Sequence, residues 1–171
     1  MKELPQLSIL PTHHPDGCCS LSIPLIDTLV KLLWPAPSLM ISIGSGTGLL
    51  EALLLKKRSQ ITLKAIEASN TANQYMREED LQIVRGTWDI CYLAADAKTW
   101  LFVYPREPHL LSRYLQAYGS RSVRLIIWIG PKADFSDYEE AMCMANWQNR
   151  LVEDSGLSHY ELMVIWERIE G

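Results

Sequence analysis

Three glycines at alternate positions, Gly44, Gly46 and Gly48, interrupt the apolar stretch ISIGSGTGLL. Glycine at such positions lets the backbone take left-handed conformations and lets a ligand approach the main chain with no Cβ in the way. Between a strand and a helix, Gly44 allows the sharp turn, Gly46 the close approach, and Gly48 a tight start of the helix against the sheet. The N–H groups of Leu49 and Leu50 are then expected to face a polar ligand group. A tight turn without a ligand is the plain alternative. The spacing GxGxG is neither GxGxxG nor GxxxxGK[ST], and with no P-loop Lys a nucleoside triphosphate is not expected. Further along, Glu67 in LKAIEAS is expected to end the second strand, where a carboxylate can accept hydrogen bonds from a ribose diol. The competing role for Glu67 is an acid at the start of a following helix. The candidate proton acceptors are His13, His14 and Tyr104.

These residues need elements to hold them. The runs Leu39–Ile43, Ile61–Ile66, Leu81–Val84, Thr99–Tyr104, Val123–Ile129 and Glu161–Trp166 are short, bounded by turn residues and rich in Ile, Val and aromatics, which predicts strands. Helices are predicted over Ile23–Leu33, Leu49–Lys57, Asn70–Glu79, Glu107–Tyr118 and Tyr138–Glu153. The first is stopped by the WPAP run at Trp34–Pro37. Alternation of apolar strands with helices predicts an α/β fold: a Rossmann-like, doubly wound, mostly parallel sheet of about six to seven strands with helices on both faces. The last strand, following Ser155 and Gly156, is expected as an antiparallel edge. Residues 1–38 are expected to form an N-terminal extension and helix covering the site, and residues 39–171 the Rossmann-like domain.

Composition narrows the partners. Of 171 residues, 48% are apolar and 21% charged, as in ordinary globular domains. The net charge is −4, and no basic cluster exceeds Lys56, Lys57 and Arg58, so no nucleic-acid backbone partner is expected. No apolar run reaches a membrane span, and the N-terminus lacks the apolar core of a secretory signal, so the expected compartment is the cytoplasm, with no membrane partner. Cys18, Cys19, Cys91 and Cys143 form no CxxC pair and are expected as reduced thiols. His13, His14, Asp16 and Cys18 lack metal-ligand spacing, so no metal is expected.

An apolar strand, GxGxG, a helix and an acid after the second strand together resemble the class I S-adenosylmethionine-dependent methyltransferases. The resemblance runs from about Leu39 to the end of the chain. VRLIIWIG is similar to the fifth strand of that family, and LVEDSGLSHYELMVIWERI to its C-terminal helix and final strands. The resemblance implies S-adenosylmethionine as cofactor, with Gly44, Gly46 and Gly48 around its amino-acid end and Glu67 on its ribose.

Three departures lie at the cofactor pocket. Where the family carries an acid two residues before the first glycine, this chain has Ser42, which hydrogen-bonds but brings no charge. Where the family often has an Asp for the adenine amino group, the chain reads Arg85-Gly86-Thr87-Trp88-Asp89. Thr87 stands at that position, Trp88 either stacks on adenine or fills its pocket, and Asp89 is the acid in a shifted register. After the fourth strand, Tyr104-Pro105-Arg106-Glu107-Pro108 replaces the (D/N/S)PP(Y/F) of amino-methylating relatives, which disfavours base methylation.

The leading expectation is therefore a methyltransferase-like enzyme acting on a small, largely apolar molecule in small-molecule biosynthesis or secondary metabolism. Its pocket is shallow or completed by a second subunit in a homodimer. The alternatives are a methyltransferase fold that has lost its cofactor and acts as a cyclase or pericyclase in natural-product biosynthesis, and a non-catalytic binding subunit.

Overall fold

The computed structural model describes residues 1–144 and 146–170. Its elements in chain order are β1 (Thr12–His13), β2 (Ser20–Leu21), α1 (Ile23–Leu32), β3 (Leu39–Ile43), α2 (Leu49–Lys57), β4 (Thr62–Glu67), β5 (Leu81–Ile83), β6 (Thr99–Val103), α3 (Pro108–Tyr118), β7 (Leu125–Pro131), α4 (Phe135–Ala141), β8 (Trp147–Leu151) and β9 (Glu161–Arg168). β1 and β2 form a small antiparallel ribbon. The other seven strands form one sheet in the order β5-β4-β3-β6-β7-β9-β8.

The pairs β4–β5, β3–β4, β3–β6 and β6–β7 are parallel, whereas β9 runs antiparallel to both β7 and β8. The antiparallel C-terminal strand thus lies at the expected side of the sheet, with β8 added outside it. The chain steps outward from β3 through β4 to β5, then returns to the other side of β3 to lay down β6. The order reverses between β3 and β6, and the carboxyl ends of strands at such a reversal bound a natural ligand crevice.

Side chains alternate across the sheet. Met40 joins the core cluster with Leu25, Leu29, Leu53 and Leu54 of α1 and α2. Ile41 and Ile43 join the other cluster, with Leu111, Tyr114 and Tyr138 of α3 and α4. Both faces of the sheet are therefore covered, which explains its nearly continuous apolar strands. α1 begins where the Ser22 hydroxyl accepts from the Leu25 N–H at 3.1 Å, with a proline in its first turn.

One predicted helix is absent and another is cut short. Residues 70–79 form turns, with a short 3-10 segment only at Glu78–Asp80. The Asn73 side chain accepts from the Met76 N–H at 2.9 Å and donates to the Met76 carbonyl at 2.7 Å, so it supplies partners that a helix would otherwise provide. The helix predicted over Tyr138–Glu153 ends at Ala141, and Trp147–Leu151 is strand β8. Asn146 and Asn149 favour helix weakly, and the free edge of β9 offers this segment a full set of backbone partners.

The first 22 residues run along the carboxyl edge of the parallel strands. The Lys2 N–H donates to Gln74, the Thr47 hydroxyl to the Asp16 carbonyl at 2.7 Å, and the Ile23 N–H to Ser8. Among the described residues, no helix is long and apolar enough to cross a membrane.

Candidate cofactor and acceptor site

The glycine loop joins β3 to α2 at the reversal point. Gly44, Gly46 and Gly48 have φ of 74°, 57° and 79°, the left-handed region that favours glycine. Their surroundings differ. A Cβ built on Gly44 or Gly46 meets nothing within 4 Å, whereas one on Gly48 would lie 2.5 Å from Met76 Cγ. The first two glycines therefore border open space, and the third is a packing position. Its close neighbours belong to the 69–80 segment, where the sequence pointed to the sheet. The Leu49 N–H, expected to face a ligand, lies 3.4 Å from the Thr47 hydroxyl of its own loop.

Glu67 ends β4 beside the loop. One carboxylate oxygen accepts from the Gly46 N–H and the other from the Ala68 N–H, both at 2.8 Å. A carboxylate oxygen accepts more than one hydrogen bond, so Glu67 can hold the loop and still receive ribose hydroxyls. With no helix over residues 70–79, its competing role at a helix start disappears.

Ser42 is buried, and its hydroxyl donates to Glu51 Oε1 at 2.5 Å. Glu51, in the first turn of α2, is only 2% exposed. Burial raises its carboxyl to about 7, opposed by the Ser42 hydrogen bond and reinforced by the charge of Glu67. Sequence reading passed over Glu51. The available signal was a single acid in the apolar run LLEALLL, since a helix apolar all round is covered on every side.

The segment after β5 is committed to itself. Arg85 binds the Asp89 carboxylate through its Nε at 3.1 Å and Nη2 at 3.2 Å, and the Ile90 N–H donates to the same group. The Arg85 side-chain hydrogen bond leads the effects that lower the Asp89 carboxyl to about 2. Trp88 is 55% exposed, with the Arg85 and Arg113 guanidiniums 5.4 Å and 5.9 Å from its ring centroid. Trp88 therefore fills no buried adenine pocket, and Thr87 is exposed beside it.

A second centre lies at the ends of β6 and β7. Tyr104 follows β6 with φ 49°, a strained conformation for a non-glycine residue, and its hydroxyl donates to Glu161 Oε1 at 2.7 Å. Burial, then the Glu161 bond and charge, push the Tyr104 phenol well above its ordinary value. It stays protonated near neutrality and acts as a donor. The buried Glu161 carboxylate also accepts from the Ser20 N–H at 3.0 Å, the Ser20 hydroxyl and the Ser158 N–H. It lines an open groove of about 670 Å³ with Pro24, Lys132, Val152, Leu157 and His159. Neither Glu161 nor Ser20 stood out in the sequence, because their proximity depends on the final strand pairing.

His13 pairs with Ser20 in the β1–β2 ribbon, so its backbone lies beside the second centre. The His13 ring stacks on Tyr160 at 5.8 Å and its Nε2 contacts the Tyr160 hydroxyl. His14 Nδ1 accepts from the Asp16 N–H at 3.2 Å. Among the described residues, neither imidazole hydrogen-bonds to Tyr104, Glu161 or the glycine loop.

No family model and no curated protein matches the sequence. Solved structures do match. The chain is similar to a precorrin-6y C5,15-methyltransferase from Geobacter metallireducens GS-15, with TM-score 0.62 and 11% identity over 85% of this chain and 86% of that one. It is similar to the plantazolicin methyltransferase BpumL, solved with a monoazolic desmethylPZN analog and SAH, with TM-score 0.59 and 11% identity over 86% and 82% of the two chains. It is also similar to the T. thermophilus 16S rRNA N2 G1207 methyltransferase, solved with AdoMet and guanosine, with TM-score 0.58 and 18% identity over 96% of this chain and 45% of that one. Taken with the strand order and the glycine turn between β3 and α2, these likenesses show that the chain has the Rossmann-like fold of the class I S-adenosylmethionine-dependent methyltransferases.

Proposed function

We propose that the protein is an S-adenosylmethionine-dependent methyltransferase acting on a small, largely apolar molecule. The observation that carries this reading is the open, left-handed backbone of Gly44 and Gly46 beside the Glu67 carboxylate at the sheet's reversal point. Both features suit a nucleoside whose tail lies along the main chain and whose ribose meets an acid. Bound S-adenosylmethionine would supply an electrophilic methyl group on its sulfonium.

The chain's own residues would do the rest. Gly44 and Gly46 would admit the cofactor's tail, and Glu67 would fix its ribose. Glu161 would border an acceptor in the groove that it lines, with its carboxylate held in place by Tyr104, Ser20 and Ser158. Residues 1–38 would cover the site and limit water, since methyl transfer gains chiefly from alignment and enclosure. Structural neighbours act on small molecules and on RNA; the net charge of −4 favours the former.

Calorimetric titration with S-adenosylmethionine and S-adenosylhomocysteine tests the reading. Micromolar binding that Gly46→Val removes supports it, because a branched Cβ fills the open space and is strained at φ 57°. An absence of binding turns the assignment toward a cofactor-free cyclase on the same fold.

A further inference from the structure

The carboxylate missing from position 42 has a counterpart on another element. Ser42 lies in β3 two residues before Gly44 and is 1% exposed. Glu51 reaches it from the first turn of α2 and places a carboxylate oxygen 2.5 Å from the Ser42 hydroxyl. An acid at 42 would put its charge within a hydrogen bond's length of that same point.

Folding alone gives little reason for this group. The neighbouring Leu49, Leu50, Leu53 and Leu54 are buried, so an apolar side chain would suit the position. Among the described residues, no cation pairs with Glu51. Its titratable surroundings are the Glu67 carboxylate at the end of β4 and the Cys18 and Cys19 thiols of the segment crossing the loop. A buried charge with no partner costs several kcal/mol. The thiol of Cys18 feels Glu51, Glu67 and, in the opposite sense, the Arg106 guanidinium, so the two acids address one region beside the glycine loop.

We propose that Glu51 is the carboxylate that receives the ammonium group of a nucleoside's amino-acid tail, supplying from α2 the charge that Ser42 lacks. This rests on the cofactor reading above. The competing role is purely structural: an acid favoured by the helix N-terminus and by its bond to Ser42.

The test is calorimetric binding of S-adenosylhomocysteine, which has the amino-acid tail, and 5′-methylthioadenosine, which lacks it. The unaltered chain, Glu51→Gln and the double variant Ser42→Asp/Glu51→Gln are compared, with thermal unfolding as the check on folding. Glu51→Gln keeps a Ser42 partner and should weaken S-adenosylhomocysteine about 10- to 100-fold, as for a lost charge-assisted bond, and leave 5′-methylthioadenosine unchanged. The double variant should recover most of the loss. The unaltered chain supplies a reading that needs no variant: its preference for the tailed ligand should rise about tenfold from pH 6 to pH 8, as a carboxyl raised to about 7 ionises. Equal affinity losses for both ligands, or none, or a preference flat with pH, overturn the Glu51 assignment and leave the cofactor reading standing. No binding of either nucleoside by the unaltered chain overturns both.

Discussion

Glu51 makes a prediction that needs no ligand. Its carboxyl is raised from an ordinary 4.5 to about 7 in the folded chain, so the folded state holds a proton that the unfolded state releases. Stability from this group is therefore complete below about 4.5 and is lost as pH rises towards 7. The full loss is on the order of 3 kcal/mol as an upper bound. Glu51→Gln should lack this slope and unfold at a higher temperature than the unaltered chain at pH 8, with the order reversed or level at pH 5. Melting curves at the two pH values check it; an unaltered slope in the variant refutes it. The residues with a private geometric signature were legible in the sequence. Gly44 and Gly46 announced an open turn, and Glu67 an acid at a strand end beside it. Glu51 was not, because an acid inside an apolar helix has meaning only once Ser42 is known to face it. Glu161 was hidden for a similar reason: its four donors come from positions 20, 104 and 158, which only the folded chain brings together.

Elements with strong periodicity, caps or helix-favouring composition were readable: α1, α2, α3 and the strands β3, β4, β6, β7 and β9 lie close to their predicted positions. The segments that differed are governed by contacts that propensity does not contain. Residues 70–79 carry an amphipathic pattern, yet Asn73 closes on Met76, and the N–H groups of Gln74 and Tyr75 both donate to the Thr47 carbonyl. That turn is therefore part of the glycine loop's support. Asn73→Ala should cost about 1–2 kcal/mol through two lost hydrogen bonds, read as a lower urea midpoint. Amide exchange at Gln74 and Tyr75 should quicken in step. Loss of stability with exchange unchanged at those amides would separate the turn from the loop. β8 shows the other kind of override: its side chains are mostly exposed, and its place comes from the unfilled edge of β9.

Over the whole molecule, the amino-terminal residues are tied to the ligand edge of the sheet at several points. Asp16 receives Lys2 at 3.0 Å and the Tyr75 hydroxyl at 2.7 Å on its carboxylate, and the Thr47 hydroxyl on its carbonyl. Leu4 and Leu7 pack against the core cluster of α1 and α2. Removing residues 1–16 should lower the melting temperature by several degrees and raise amide exchange across residues 44–49, while the far-ultraviolet dichroism of the sheet persists. Unchanged exchange in the glycine loop would show that the segment merely lies nearby.

Lys2 and Arg168 are held at opposite ends of the parallel strands. Lys2 bonds Gln74 beside the glycine loop, whereas Arg168, the end of β9, bonds Arg124 and the carbonyls of Ser120 and Arg121 at the start of β7. Anything joined ahead of Met1 therefore stands at the mouth of the crevice, and anything joined beyond Glu170 hangs from the floor of the molecule. A surface, dye or purification handle attached at the carboxyl end leaves the binding edge facing solution. The same attachment at the amino end turns that edge toward the support, and the two orientations would report different affinities for one ligand.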